Sequence, residues 1–408
     1  MAETLPALLK RQRAEFGWTQ ARLAQELCAA SGRPTVTRQE VYRWESGRRI
    51  PTFWLPHLAT VLQIPRTELE RSIASAKEKS AALDDFFPRG KARQRQLCPP
   101  RGRLGGGDAD DLSSRVHALR LADDVLPGKD LIRPALRELK TAVRRTENGF
   151  SSETAERSFL VPLGELAQIA GWIASDAGRQ GVAERVYRLG IAAARQAGDA
   201  ALAAQIAGCL AYQWSNNGRE SEGVALAEAA LAEAGPAAPP RARALFWDRV
   251  AWARTMTGDA QGAMRALGEA ESALARHRDE AEPAWLYWVD EGELQIMAAR
   301  VHTELRRPLR AVPLLTEVLA RYDTTHTREH ALYLSWLAVA YADANEPEEA
   351  AAVARRMLAM SANLGSHRTS RRGRAVLTAL HPFHDVPEVA EVLETVHAEY
   401  RNTAKGAH

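Results

Sequence analysis

Gly17-Trp-Thr-Gln-Ala-Arg-Leu-Ala-Gln-Glu-Leu27, followed nine residues later by Thr37-Arg-Gln-Glu-Val-Tyr-Arg-Trp-Glu-Ser-Gly-Arg-Arg-Ile-Pro51, spells two short helices meeting at a turn. Thr19 is an N-cap for the first of them, and Leu23, Ala24 and Leu27 recur at helical spacing to form its apolar face. Thr37 caps the second, and Glu40 three residues on completes a capping-box pattern. Val41 and Trp44 point inward, which leaves Arg38, Gln39, Tyr42 and Arg43 on the opposite side. A helix with such a polar, basic outer face fits the major groove of DNA, which admits one helix and displays a distinct pattern for each base pair. Upstream, Leu5, Leu8 and Leu9 predict a helix that ends at Gly17. Downstream, Pro51-Thr52 opens a fourth helix carrying Leu55, Leu58, Ala59 and Leu62, and a fifth follows over 65–73. Together they predict a five-helix domain over residues 1–76.

The combination Gly-x-Thr-Gln-x-x-Leu-Ala with Trp-Glu-x-Gly-x-x-x-Pro resembles the phage-repressor, Cro-type helix-turn-helix regulators, the XRE family, over about residues 5–70. This chain departs from the family in the segment from Cys28 to Val36, which is longer than the usual turn. The resemblance implies that Gln20 and Thr37 meet a phosphate or base edge and that Arg38, Gln39 and Arg43 face bases. Tyr42 would reach a thymine methyl or a phosphate, and Arg48 and Arg49 would neutralise phosphates in the loop that follows. The chemistry suits those roles, since arginine pairs bidentately with guanine and glutamine with adenine. An acid beside the groove would repel phosphate. The family resolves this by pairing the residue at Glu45 with the arginine at Arg13.

Charge is unevenly spread. Residues 1–104 hold 19 Lys and Arg against 10 Asp and Glu, whereas the remainder holds 35 against 41. A basic head on an acidic body suits a head that meets nucleic acid. Between them, residues 77–111 read as a basic disordered linker, because this stretch, rich in Arg, Pro and Gly, lacks apolar periodicity. Pro100-Arg101-Gly102-Arg103 approaches a minor-groove AT-hook core, so Arg101 and Arg103 are expected to contact the minor groove or phosphates. Cys28, Cys98 and Cys209 fit neither a disulfide framework nor a metal site. No apolar run is long enough to span a bilayer and no signal peptide is visible, which predicts a cytoplasmic, nucleoid-associated protein.

The remaining residues, 112–408, repeat. Gly178, Gly218, Gly258, Arg306 and Asn345 mark turns spaced 40, 40, 48 and 39 residues apart. Five after each turn stands Ala183, Gly223, Ala263, Ala311 or Ala350. Seven before stands Gly171, Ala211, Ala251, Ala299 or Ala338. Small residues at both offsets let paired helices approach closely. Nine after each turn the residue is apolar. Five such hairpins resemble degenerate tetratricopeptide repeats, and Leu112–Arg145 and Val386–Tyr400 would cap the ends of the solenoid. Trp172, Tyr212 and Trp252 share the offset six before their turns. That aromatic ladder either packs hairpin on hairpin or lines an effector groove. Arg368, Arg371, Arg372 and Arg374 read as a solvated basic loop, with a carboxylate or phosphate clamp as the alternative. His381 and His384 make a poor metal pair.

The expected architecture is therefore all-α: a five-helix reading head, a basic linker and a TPR-like α-solenoid. It is similar to peptide-sensing repressors that join such a head to tetratricopeptide repeats, and to regulators of this kind in actinobacteria. The resemblance implies a homodimer on double-stranded DNA, with a peptide, small-molecule or protein effector in the body. The alternative is an interaction scaffold whose head only tethers it to DNA. Neither a nucleophile–base pair nor a nucleotide loop can be placed, so no enzyme activity, cofactor or metal is expected.

Overall fold

The computed structural model describes residues 5–32, 35–46, 51, 54–69, 72, 103–276, 282–321, 327–361 and 366–405. The chain is all-α and divides into two units, Met1–Ala81 and Ala82–His408. Among the described residues there is no strand, only an isolated bridge between Leu104 and Phe150.

In the first unit the helices are α1 (Leu5–Glu15), α2 (Gln20–Ser31), α3 (Arg38–Glu45) and α4 (Leu55–Val61), with a further helical turn at 66–69. Gly17 and Gly32 take left-handed φ values of 66°, which end α1 and α2 without a Cβ penalty. The hydroxyls of Thr19 and Thr37 accept from the N–H groups of Arg22 and Glu40, as N-caps do. Leu8, Leu9, Leu23, Leu27, Val41, Trp44, Leu58 and Leu62 form one buried cluster. The expected phosphate contacts Arg48 and Arg49 lie outside the described residues, as does Arg101.

The linker expectation needs shortening. Residues 103–111 belong to the second unit: Leu104 is buried and hydrogen-bonded through its backbone to Gly149 and Ser151. Helix α5 (Gly106–Val125) starts within the three glycines. The Asp108 carboxylate fixes its first turn by accepting from the Gly105 N–H at 2.7 Å and by pairing with Arg145. Glycines suggest a tether only while that partner is unseen.

After α5 and α6 (Gly128–Thr146) come five antiparallel pairs. They are α7/α8 (Glu153–Asp176, Gln180–Ala197), α9/α10 (Ala200–Ser215, Glu220–Ala234), α11/α12 (Pro240–Met256, Ala260–Leu274), α13/α14 (Glu291–Glu304, Pro308–Arg321) and α15/α16 (Thr327–Asp343, Pro347–Ser361). Then α17 (His367–Leu380) and α18 (Pro387–Lys405) follow. All five turn residues have positive φ, including the non-glycines Arg306 at 54° and Asn345 at 63°. Every small residue seven before and five after these turns is buried. Close approach is literal at Gly171, where an added Cβ would fall 2.4 Å from Cε1 of the fully buried Tyr187. Gly171→Ala is expected to cost about 1–3 kcal/mol through overpacking, read as a lowered melting temperature; wild-type melting would contradict the packing.

The first helices of the pairs form an inner row in which α7, α9, α11, α13, α15 and α17 each touch the next. The row closes on itself. Helix α15 returns to α5 and α17 returns to α7, fastened by polar contacts across about half the chain. Arg328 donates to both Asp123 oxygens at 3.2 and 3.3 Å. Ser366 and Arg368 donate to Asp176 at 2.7 and 2.9 Å. Tyr287 donates to Asp124 at 3.1 Å.

Candidate functional site

On α3 the inward residues Val41 and Trp44 are 1% and 2% exposed, while Thr37, Arg38, Gln39, Tyr42 and Arg43 are all exposed. The end of that helix is anchored by Glu45. Arg13 grips its carboxylate bidentately, Nε to Oε1 at 2.5 Å and Nη2 to Oε2 at 3.0 Å, and uses Nη1 to reach the carbonyl of Trp18. Glu45 is thereby neutralised and turned inward, so it does not oppose an approaching phosphate. Gln20, expected at DNA, is half-buried and commits its amide nitrogen to Glu45 at 2.8 Å. Arg43 is held by Glu40 at 2.6 Å on the outer surface. Two helices at a turn, one braced by α1 and showing an unbroken polar face, make a groove-reading arrangement. Residues 9–53 match the helix-turn-helix family.

That match lies within the first unit and makes it a DNA-binding helix-turn-helix domain. A comparison with curated proteins found no match to the chain. Of the expected minor-groove pair Arg101 and Arg103, Arg103 is the one that is described. It is half-buried and immediately precedes Leu104, which is pinned to the second unit.

The inner row of the body surrounds a cavity of about 700 Å3. Trp172 and Tyr212 line it with ring centroids 6.0 Å apart. Trp252, the third member of the expected ladder, lies behind them. It is 3% exposed and packs between Tyr212 at 5.9 Å and Trp336 at 5.6 Å. The ladder thus both packs the hairpins together and faces a cavity, through different members. Its fourth rung is Arg300, six before the Arg306 turn, which lies over Tyr212, Trp252 and Trp336 and donates to the Tyr212 hydroxyl at 2.7 Å. An arginine at that offset hid the periodicity that the aromatics show. The offset nine before the turns supplies Ile169, Cys209, Arg249, Met297 and Trp336 to the same wall, a helical period away.

The basic cluster is not a solvated loop. Arg368, Arg371 and Arg372 stand on α17 and line the cavity. Arg368 lies 4.6 Å over Trp172, and Arg372 3.3 Å over Trp336. Arg371 donates to the backbone carbonyl and side-chain oxygen of Asn216 at 2.5 and 2.8 Å. The contacts of Arg328 with Asp123 and of Arg368 with Asp176 form a clasp in which, with Glu329, three acids face two guanidiniums. Burial, with a smaller push from Glu329, raises the Asp123 carboxyl to about 6 against the pull of Arg328 and Arg368. Burial pushes Asp176 up too, but Arg368, Arg328 and the Ser366 hydroxyl outweigh it and hold that carboxyl below its usual range. The difference follows from two guanidiniums and a hydroxyl facing Asp176, where Asp123 has chiefly Arg328. Among the described residues no cluster of His, Cys, Asp and Glu could hold a metal, and no helix is long and apolar enough to cross a membrane.

Proposed function

We propose that this protein is a sequence-specific transcriptional regulator whose head reads an operator and whose repeat body, of tetratricopeptide type, binds an effector that tunes the reading. The observation that carries it is the outer face of α3, where Arg38, Gln39, Tyr42 and Arg43 stand exposed on a helix braced from behind by the Arg13–Glu45 pair. The protein acts as a homodimer on two half-sites about one helical turn apart, the spacing such heads impose. The effector must favour one body conformation over another, because a ligand with equal affinity for both shifts nothing.

A body serving only as an interaction scaffold would need an accessible groove. A cavity of about 700 Å3 with buried arginines and aromatic rings in its wall favours a small-molecule effector over a docked protein. The protein works as a soluble component of the cytoplasm, at the nucleoid.

Arg38→Ala and Gln39→Ala should each lose about 1–3 kcal/mol of preference at one base pair. Operator selection from random duplexes, followed by titration at fixed salt, measures this. Unchanged affinity of Arg38→Ala for both its best site and random DNA would overturn the groove assignment.

A further inference from the structure

Around Tyr212 and Trp336 the cavity gathers more guanidiniums than acids. Arg249, Arg300, Arg371 and Arg372 converge there. Glu293 lines the same cavity but accepts from the Tyr333 hydroxyl, and two further acids pair with these arginines. Asp248 lies 3.9 Å from Arg249, and burial pushes its carboxyl up. Glu304 reaches Arg372 at 3.3 Å from a partly exposed position. Burial, with Arg300 and Arg371 nearby and Glu304 opposing, pulls the Arg372 guanidinium down to about 10. Buried guanidiniums without anions are costly and persist where a bound group supplies the charge.

Hydrogen-bonding capacity is left over in the same place. Arg249 and Arg300 each have an unpartnered buried Nε, and Arg372 an unpartnered Nη2. In the same cavity Gln205 and Gln213, 2% and 5% exposed, have unpartnered side-chain oxygens. Unpaired donors, unpaired acceptors and aromatic faces in one cavity describe the complement of one molecule: flat, with an anionic group and a hydroxyl or N–H. Guanidinium forks take carboxylates bidentately, and the cavity has the volume of a small-molecule site.

We propose that the cavity is a binding site for a small planar aromatic carboxylate, with Arg300 and Arg372 clamping the acid and Gln205 and Gln213 accepting from its polar substituent. This rests on the effector reading of the body and names the chemistry of that effector. The test is calorimetric titration of the full chain, without DNA, with 2-naphthoate, 6-hydroxy-2-naphthoate and the neutral 2-naphthylmethanol. Both acids should bind one per chain and at least tenfold more tightly than the alcohol, with the hydroxy acid tightest. Arg372→Gln should lose tenfold or more for the acids alone, with its helical circular dichroism unchanged. Arg300→Lys, which keeps the charge and the stem packing, should also weaken the acids by losing the fork. Equal binding of acid and alcohol, full acid affinity in both variants, or no binding of either acid would overturn the assignment. Acid binding that leaves operator affinity unchanged would keep the site and overturn its effector role instead.

Discussion

Asp176→Ala should destabilise the body by about 3–5 kcal/mol, the cost of breaking a buried charge network by removing one partner. Its side chain has no exposure and meets Arg368 and Ser366 directly and Arg328 at 3.8 Å. Truncation leaves two buried guanidiniums with only Asp123 and Glu329 to face them. It also removes a contact joining residues 190 apart in sequence, so the return of α17 to α7 is lost with it. The melting temperature should fall on the order of ten degrees, and proteolysis should open the segment around Ser366 first. Asp176→Asn keeps an acceptor for Ser366 but not the charge, and should fall between. A shift under about 1 kcal/mol in Asp176→Ala would show that the ring is not held there.

Glu45→Ala should disable DNA binding although Glu45 does not face the groove. The substitution strands Arg13, whose side chain is 16% exposed, and leaves the Gln20 amide without its acceptor. A loss of about 3–5 kcal/mol follows from an uncompensated buried charge, which is a large share of the stability of one small core. Thermal denaturation of Glu45→Ala should therefore show the head melting separately and early, with operator binding lost in parallel. Replacing both partners, Arg13→Met with Glu45→Met, removes the stranded charge and should recover most of the stability. If the double variant melts as low as the single, the pair is not the brace of α3.

The sequence made the head and the repeats legible because both depend on short-range spacing. Thr19, Thr37, Val41 and Trp44 have the roles that their positions predict. The five turn residues, two of them not glycine, adopt left-handed backbone. What the sequence hid depends on long-range meeting. Nothing local pairs Arg328 with Asp123 or Ser366 with Asp176, so the ring and its cavity were invisible. Arg368, Arg371 and Arg372 looked like a polar loop because the aromatic rings and acceptors they meet come from α7, α9 and α15. Arg300 broke the aromatic ladder in sequence while completing it in space. Gln20 shows the reverse limit: its position was clear, but its engagement with Glu45 depends on how α2 and α3 cross.

Closure changes the mechanics of the body. An open array of hairpins behaves as a spring, in which each repeat yields a little and the ends move freely. Fastening α15 and α17 to α5 and α7 turns the spring into a hoop. Small independent flexing is suppressed, and the lowest-energy large motion left is release of the clasp as a unit, a local opening with its own free energy. The body is thereby suited to two discrete shapes, clasped and sprung, rather than to a continuum of curvature.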